Sequence, residues 1–176
     1  MSTDERLELD VERLTFGFDA LAHHGRQVAF VAYGAPGDRV AARVRERRAG
    51  YLRTDVAAVL SPGPARVLPG CRYFPTCGGC QWQHVAPAAQ RDAKAAIVAE
   101  QLARLARLRD VDVLPTVASP VDWGYRARIT LAVEGRRIGY RRARSHALVE
   151  VADCPIAAPV LAAQLAPVRA WVASLR

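Results

Sequence analysis

The stretch Cys71-Arg-Tyr-Phe-Pro-Thr-Cys77-Gly-Gly-Cys80 places three of the chain's four cysteines close together, directly after a proline-rich linker. The fourth cysteine, Cys154, follows much later. A compact triplet with one distant partner is typical of four thiolates that converge on one polynuclear iron–sulfur cluster. The Gly-Gly pair allows the tight backbone turn that such a loop needs. The pattern therefore predicts a metal-binding loop that is tied to a distant segment.

Three other interpretations of the cysteines stay open on spacing alone. Zinc accepts four cysteines or a mixed Cys/His set, and His84 lies four residues after Cys80. Four unconnected cysteines could also serve as small buried apolar residues, although their grouping argues against this. A nucleophilic thiol is less favoured still, because Asp153 beside Cys154 would raise the pKa of that thiol.

The linker Ser61–Gly70 contains three prolines and two glycines, which disfavour both helix and central strand. Short strands with glycine or proline breaks are predicted before it, at 7–11, 28–33, 39–44 and 51–60. Strands of this length and spacing predict a small closed or nearly closed barrel. We therefore expect a barrel domain over residues 1–62 and a second domain over 63–176.

The second domain is predicted to be mixed, so that the whole chain is mainly β with helices, an α+β fold. Helices are expected over 87–108 and 159–176, and strands over 111–117, 125–133, 136–142 and 146–151, with a hairpin turn at Glu134-Gly135. Trp123 and Trp171 are expected in the core, and Tyr73 and Trp82 are expected to shield the cluster from water. The last helix shows no stop signal, which favours a truncated chain.

The formal charge of +8 and the isoelectric point near 10.0 favour a polyanionic partner such as nucleic acid. The surplus lies in residues 71–176, where 15 Arg/Lys face 8 acidic residues. Seven arginines there are opposed locally only by Glu134: Arg126, Arg128, Arg136, Arg137, Arg141, Arg142 and Arg144. The polar, acidic start of the chain lacks a secretory signal, so we expect a cytoplasmic protein that does not enter a membrane.

Taken together, these residues resemble the N-terminal half of the bacterial RNA (uracil-C5) methyltransferases. The resemblance is carried by the cysteine stretch, Gln83-His84, Gln90, Lys94, Tyr125-Arg126, Arg128, Gly139-Tyr-Arg-Arg142 and Cys154-Pro155. The barrel resembles the TRAM domain, an OB-like RNA-binding barrel, including its Pro36-Gly37-Asp38 turn. Phe18-Asp19 depart from the family pattern, which usually has a further small residue there.

The resemblance implies a 4Fe–4S cluster on Cys71, Cys77, Cys80 and Cys154. It also implies an RNA substrate, for which 23S rRNA is preferred and tRNA is the alternative. RNA contacts are then expected from exposed basic and aromatic residues: Arg43, Arg45, Arg126, Arg128, Tyr140, Arg141 and Arg142. The cluster would be structural, and it would order the hairpin of the predicted strands 125–133 and 136–142, which carries Arg126, Arg128, Arg141 and Arg142. The family's S-adenosylmethionine domain and nucleophilic cysteine have no counterpart, so we expect this chain alone to be inactive.

Two further possibilities concern the chain's partners. The methyltransferase domain could be separately encoded and join this chain. Alternatively, the chain could be a stand-alone iron–sulfur or zinc RNA-binding adaptor or chaperone without catalysis. Salt-sensitive RNA binding is expected of both.

Overall fold

The computed structural model describes residues 5–175, which form two compact units. The first contains the described chain through Leu68 together with His84–Ala118, and the second contains Pro69–Gln83 and the chain from Ser119 onward. The predicted domain boundary between residues 62 and 63 stays a prediction. Between 5 and 175, no helix is both long enough and apolar enough to cross a membrane.

The first unit is built on a closed five-stranded barrel, which confirms the predicted barrel. Its strands are β1 (Arg6–Leu14), β2 (Ala20–His24), β3 (Gln27–Ala32), β4 (Arg39–Arg47) and β5 (Tyr51–Ser61). They are ordered β1-β2-β3-β5-β4, and β4 pairs with β1 to close the ring. Only β3 and β5 pair in parallel, and the other neighbours are antiparallel.

Alternation along the strands separates an aliphatic interior from a polar exterior. Leu9 and Val11 are buried, whereas Glu8, Asp10 and Glu12 between and beside them are exposed. The strand residues buried in the barrel are small or aliphatic: Leu9, Val11, Leu14, Ala20, Ala22, Ala29, Val31, Ala32, Val40, Ala42, Leu52 and Thr54. This core packs without a phenylalanine, so the aromatic residues of these strands lie on the outside.

The expectation for the barrel missed β2, whose sequence Ala-Leu-Ala-His-His lacks the β-branched residues that mark a strand. Tertiary pairing with β1 and β3 holds it instead. The predicted Pro36-Gly37-Asp38 turn is present, because the Asp38 N–H donates to the Ala35 carbonyl at 3.0 Å.

A helix and an irregular segment complete the first unit. Helix α1 (Pro87–Arg104) begins with proline at its first position and ends four residues before the predicted Leu108. Only Ile97 of α1 is buried, while Leu105 and Leu108 beyond it are exposed. The predicted strand at 111–117 is wrong, since this segment forms no strand pairing.

The second unit contains a three-stranded antiparallel sheet and two short helices. These are β6 (Ala132–Glu134), β7 (Arg137–Arg141), β8 (Leu148–Glu150), α2 (Pro159–Ala162) and α3 (Leu165–Ser174). The hairpin turn lies one residue later than predicted, at Gly135-Arg136, because Glu134 pairs with Arg137 and Gly135 has φ +60°.

Three predictions for the second unit need correction. The strand expected from Tyr125 is irregular until Ala132, and the helix expected from Pro159 is broken between Ala162 and Leu165. Trp123 and Trp171 are not core residues, since they are 43% and 63% exposed. Helical spacing and aromatic character alone do not determine which face a neighbouring element covers.

Candidate functional site: the four-cysteine cavity

The four cysteines line a single cavity in the second unit, together with Tyr73, Phe74, Gln83, Arg126 and Tyr140 among others. Three thiols come from the loop between β5 and α1 and the fourth from the segment after β8, and all four are free and half-buried. Within residues 5–175, no three His, Cys, Asp or Glu side chains are placed as they stand to hold a metal ion. The structure thus brings the predicted set around one space without arranging it around a single ion.

Backbone hydrogen bonds shape the cysteine loop. The Phe74 N–H donates to the Cys71 carbonyl at 3.1 Å, and the Cys77 N–H donates to the Tyr73 carbonyl at 2.8 Å. The Gly78 N–H then donates to the Arg141 carbonyl at 2.9 Å, which fastens the loop to the end of β7. A Cβ at Gly78 would lie 2.9 Å from that carbonyl oxygen, so the close approach requires glycine.

The far side of the cavity is fixed by the segment that carries Cys154. The Ala157 N–H donates to the Cys154 carbonyl at 3.0 Å, and the Arg126 N–H donates to the Ile156 carbonyl at 2.8 Å. The Tyr73 hydroxyl accepts a hydrogen bond from the Ala152 N–H at 2.7 Å. Tyr73 therefore joins the cysteine loop to the approach to Cys154.

Three of the four sulfur atoms have hydrogen-bond donors nearby. The Gly79 N–H lies 3.4 Å from Cys77 Sγ, and the Tyr140 hydroxyl lies 3.5 Å from Cys154 Sγ. The Gln83 side chain hydrogen-bonds Cys80, while its Oε1 accepts from the Cys71 N–H at 3.1 Å. Donors aimed at sulfur stabilise thiolates and orient metal ligands.

Burial and mutual repulsion make the thiolate forms costly in the absence of a cation. Burial raises the pKa of Cys77, and the nearby thiols of Cys80, Cys71 and Cys154 raise it further. Burial likewise raises the pKa of Cys80, with Gln83 and Arg126 acting in the opposite direction. The pKa of Tyr140 is also raised, by burial and by Cys154. A cation bound in the cavity would stabilise the thiolates and so relieve the repulsion between them.

Tyr73 and Trp82, which were expected to shield the cluster, lie in the second unit, whereas His84, the alternative zinc ligand, lies in the first. Tyr73 lines the cavity, as a shield would, but Trp82 is not among the lining residues. His84 is 2% exposed in the first unit, where its Nε2 lies 3.1 Å from the Gly34 carbonyl oxygen. This placement supports a structural role for His84 and weakens its case as a zinc ligand.

The predicted RNA-contacting residues of the second unit do not lie on two paired strands, although 125–133 and 136–142 were both predicted to be strands. Arg126 and Arg128 precede β6, and Arg126 lines the cysteine cavity. Tyr140 points toward the same cavity, whereas Arg141 and Arg142 at the end of β7 are exposed. The difference has two causes. Residues 125–131 form no strand, so Arg126 and Arg128 do not lie on the sheet, and alternation along β7 sends Tyr140 and Arg141 to opposite faces.

Acidic residues partly neutralise the predicted basic clusters. Arg141 Nη1 lies 3.4 Å from Glu134 Oε2, and Arg45 Nε on β4 lies 3.2 Å from Asp55 Oδ2. Arg43, Arg128 and Arg142 are exposed on their units. These residues stay candidates for RNA contact.

Sequence reasoning missed two functional neighbours of the cysteines, Gln83 and Tyr140. From the sequence, Gln83 is expected only as part of the motif that carries the resemblance, and Tyr140 only as an RNA contact. The short spacing of Gln83 from Cys80 could have indicated that its side chain lies beside the cysteines. The pairing of Tyr140 with Cys154 depends on β7–β8 register, which the sequence does not display.

No protein-family model matches the chain, but several curated relatives do. An uncharacterised RNA methyltransferase of Bdellovibrio bacteriovorus is 32% identical over 94% of this chain and 42% of its own length. The 23S rRNA (uracil(1939)-C(5))-methyltransferase of Thiobacillus denitrificans is 33% identical over 95% of this chain and 40% of its own length. Its counterpart in Halomonas elongata is 38% identical over 88% and 34%, respectively.

A solved structure supports the fold. The tRNA (uracil-54, C5)-methyltransferase of Pyrococcus abyssi, solved in complex with S-adenosyl-L-homocysteine, matches with a TM-score of 0.59 and 24% identity. The match covers 94% of this chain and 36% of that one. This chain therefore spans about two fifths of the length of the curated relatives it matches. Over that part, the chain is similar to proteins that are named as RNA (uracil-C5) methyltransferases, at 33–38% identity.

Proposed function

We propose that this chain is the RNA-binding, 4Fe–4S-containing N-terminal portion of an S-adenosylmethionine-dependent RNA (uracil-C5) methyltransferase. The observation that carries the proposal is the cavity lined by all four cysteines, in a chain that is 33% identical to a 23S rRNA (uracil(1939)-C(5))-methyltransferase. S-adenosylmethionine binding and methyl transfer would belong to a catalytic domain outside the matched two fifths, on the same or a separate polypeptide. 23S rRNA is the preferred substrate, because two of the relatives cited carry that activity in their names.

The cysteine cavity fits a cluster in its donor set. Cys71, Cys77, Cys80 and Cys154 supply four thiolates, and Gly79, Gln83 and Tyr140 supply donors to three of the sulfurs. When bound, the cluster would fasten the 71–80 loop to the segment after β8. The residues around it would then hold Arg126, Arg141 and the β7 hairpin in one arrangement for contact with RNA phosphates.

RNA binding by the isolated chain tests the proposal. We expect the chain, purified anaerobically, to bind a fragment of 23S rRNA with an affinity that falls steeply as salt rises. Replacing Arg141 and Arg142 by glutamine should flatten the dependence of log affinity on log salt, by roughly one phosphate contact each. The control is Arg104→Gln, which replaces an exposed arginine of the first unit that lies far from Arg141 and Arg142 in the sequence.

Supplying the catalytic domain tests the enzymatic part. We expect this chain, joined to the remaining three fifths of a relative, to transfer a methyl group from S-adenosylmethionine to uracil in that RNA. Tight, salt-sensitive RNA binding without methylation in the joined protein would favour the stand-alone adaptor instead. Failure to bind 23S rRNA or tRNA even at low salt would contradict the proposal.

A further inference from the structure

Tyr140 was expected to contact RNA, but its side chain points into the cysteine cavity. The residue lies on β7, and its hydroxyl lies 3.5 Å from Cys154 Sγ. Both residues line the cavity. Because the hydroxyl of Tyr140 is directed to a sulfur inside the cavity, its role is to be sought there and not at an RNA-facing surface.

The backbone on both sides of Tyr140 fixes the direction of its ring. Tyr140 pairs with Val149 of β8, and at the neighbouring Gly139 a Cβ would lie 2.1 Å from the Val149 carbonyl oxygen, so the two strands approach closely. On the other side, the Gly78 N–H donates to the Arg141 carbonyl at 2.9 Å and attaches the cysteine loop to the end of β7. Tyr140 therefore stands between two fixed segments.

The Tyr140 side chain extends from the cysteine triplet to the distant cysteine. A Cβ at Gly79, which lies between Cys77 and Cys80 in the loop, would be 4.0 Å from Tyr140 Cδ1, so the ring lies beside the loop. The hydroxyl at the far end of the ring reaches Cys154. One side chain thus lies against both parts of the predicted ligand set.

Apolar side chains complete the cavity wall around this contact. Phe74, Val151 and Ile156 line the cavity, and the last two are 2% and 6% exposed. An apolar wall excludes water and lowers the local dielectric constant, so a hydrogen bond to sulfur has a larger electrostatic effect there than in water. The hydroxyl of Tyr140 is therefore placed to alter the electron density at Cys154 Sγ.

We propose that the Tyr140 hydroxyl raises the reduction potential of the cluster by donating a hydrogen bond to the Cys154 thiolate. Reduction adds one negative charge to the thiolate-bound cluster, and a donor to a ligand sulfur stabilises the more negative state. Without this donor, the cluster is harder to reduce and easier to oxidise. Tyr140 acts through Cys154 and is not itself a ligand. The inference rests on the proposed function, because it requires the four cysteines to hold a 4Fe–4S cluster.

A redox titration of the anaerobically purified 176-residue chain tests this role. Titanium(III) citrate supplies one electron to the cluster, and electron paramagnetic resonance follows the reduced form. In Tyr140→Phe, the ratio of reduced to oxidised cluster at a fixed potential should fall roughly threefold to tenfold, which for a one-electron couple is about 30 to 60 mV. Bleaching of the cluster's visible absorption in air should be faster in the same variant. An unchanged potential in a variant that retains its iron and sulfide would overturn the proposal.

The same cavity offers a matched control in Tyr73. Its side chain also lines the cavity, but its hydroxyl accepts a hydrogen bond from the Ala152 N–H at 2.7 Å and is directed to the backbone. Tyr73→Phe should weaken the attachment of the cysteine loop to the approach to Cys154, while the reduction potential stays at the native value. Equal shifts of the potential in the two variants would indicate a general loosening of the cavity and would also overturn the proposal.

Strengthening the same hydrogen bond should have the opposite effect. With 3-fluorotyrosine in place of Tyr140, the ring and the hydroxyl are kept, and the electron-withdrawing fluorine makes the hydroxyl a stronger donor. The cluster of this variant should be reduced at a higher potential than that of the native chain, and it should bleach more slowly in air. This result decides the question even where Tyr140→Phe loses its cluster, since an unchanged or lower potential would contradict the proposal.

Iron and sulfide analysis separates this inference from the proposed function. A native chain without iron and sulfide would contradict the proposed cluster, and the role of Tyr140 with it. A native chain with a full cluster whose potential does not respond to either change at Tyr140 would overturn only that role. Circular dichroism of each variant excludes loss of fold as the cause of a shift in potential.

Discussion

The Asp38 carboxylate is buried, and the turn and the linker meet at its two oxygens. It accepts hydrogen bonds from the Ala35 N–H at 2.7 Å, the Gly63 N–H at 2.9 Å and the Arg66 guanidinium at 2.6 to 3.0 Å. Asp38→Asn would leave the Arg66 charge without its partner and should lower the free energy of unfolding by roughly 3 kcal/mol. Urea denaturation measures the change.

A matched control for Asp38 is available on the same barrel. The Arg39–Glu8 pair is exposed on both sides, so Arg39→Gln should leave the urea midpoint nearly unchanged. Equal losses from the two variants would contradict the special role of Asp38.

The same carboxylate should make stability depend on pH. Burial alone would raise the pKa of Asp38, but the hydrogen bonds from Arg66, Gly63 and Ala35 outweigh burial, and the pKa lies below its ordinary value of 3.8. A depressed folded-state pKa stabilises the fold fully above the unfolded value and progressively less as pH falls through the folded value. The difference in unfolding free energy between native chain and Asp38→Asn should therefore narrow as pH drops below about 4, and a constant difference would contradict this.

Two neighbouring glycines in the cysteine loop should respond in opposite ways to substitution by alanine. A Cβ at Gly78 would meet the Arg141 carbonyl oxygen at 2.9 Å, whereas a Cβ at Gly79 would meet only ordinary contacts of 3.5 Å or more. Gly78→Ala should displace the loop from β7 and reduce the metal content of the purified chain. Gly79→Ala should retain both, and equal metal content in the two variants would argue against the loop's attachment to β7.

At the scale of single residues, the sequence predicts the chemical type of a site better than it predicts which side chains surround that site. The four cysteines were identified from their spacing, and the structure places them around one cavity. The donors to their sulfurs were not identified, because Tyr140 reaches Cys154 only through the pairing of β7 with β8. A long-range register of this kind leaves no local signal.

Among the elements, the β7–β8 pair positions Cys154 and depends on one small residue. A Cβ at Gly139 would lie 2.1 Å from the Val149 carbonyl oxygen, so alanine cannot be accommodated without separating the strands. Gly139→Ala should lower the melting temperature and release Cys154 from the cavity, which thiol-reactive probes would detect as faster labelling. Gly50→Ala, where a Cβ meets nothing within 4 Å, should change neither quantity.

Predictability of the elements followed the strength of their local patterns. The strands β1, β3, β4 and β5 carry β-branched or alternating residues between glycine and proline breaks and were expected, as was most of α1. The alanine- and histidine-rich β2 was missed, and the apolar segment 111–117 was assigned a strand that it does not form. Pairing with β1 and β3 holds β2 as a strand despite its low β-propensity. The segment 111–117 forms no strand pairing, so its apolar sequence is not enough to make it a strand.

For the whole molecule, sequence motifs indicated the resemblance to RNA (uracil-C5) methyltransferases before the fold was known. The cysteine stretch with Gln83-His84 is the most specific part of that resemblance, and relatives at 32–38% identity confirm the resemblance. The return of the chain to the first unit at His84 was not foreseen. His84 itself explains the return, because its buried ring hydrogen-bonds the Gly34 carbonyl of the barrel.

The central claim is that Cys71, Cys77, Cys80 and Cys154 hold one iron–sulfur cluster. The most direct test is iron, sulfide and zinc analysis of the anaerobically purified chain beside its Cys154→Ser variant. The account predicts about four iron and four sulfide per native chain, with most of both lost in the variant. Stoichiometric zinc without sulfide, or a full iron content in Cys154→Ser, would contradict it.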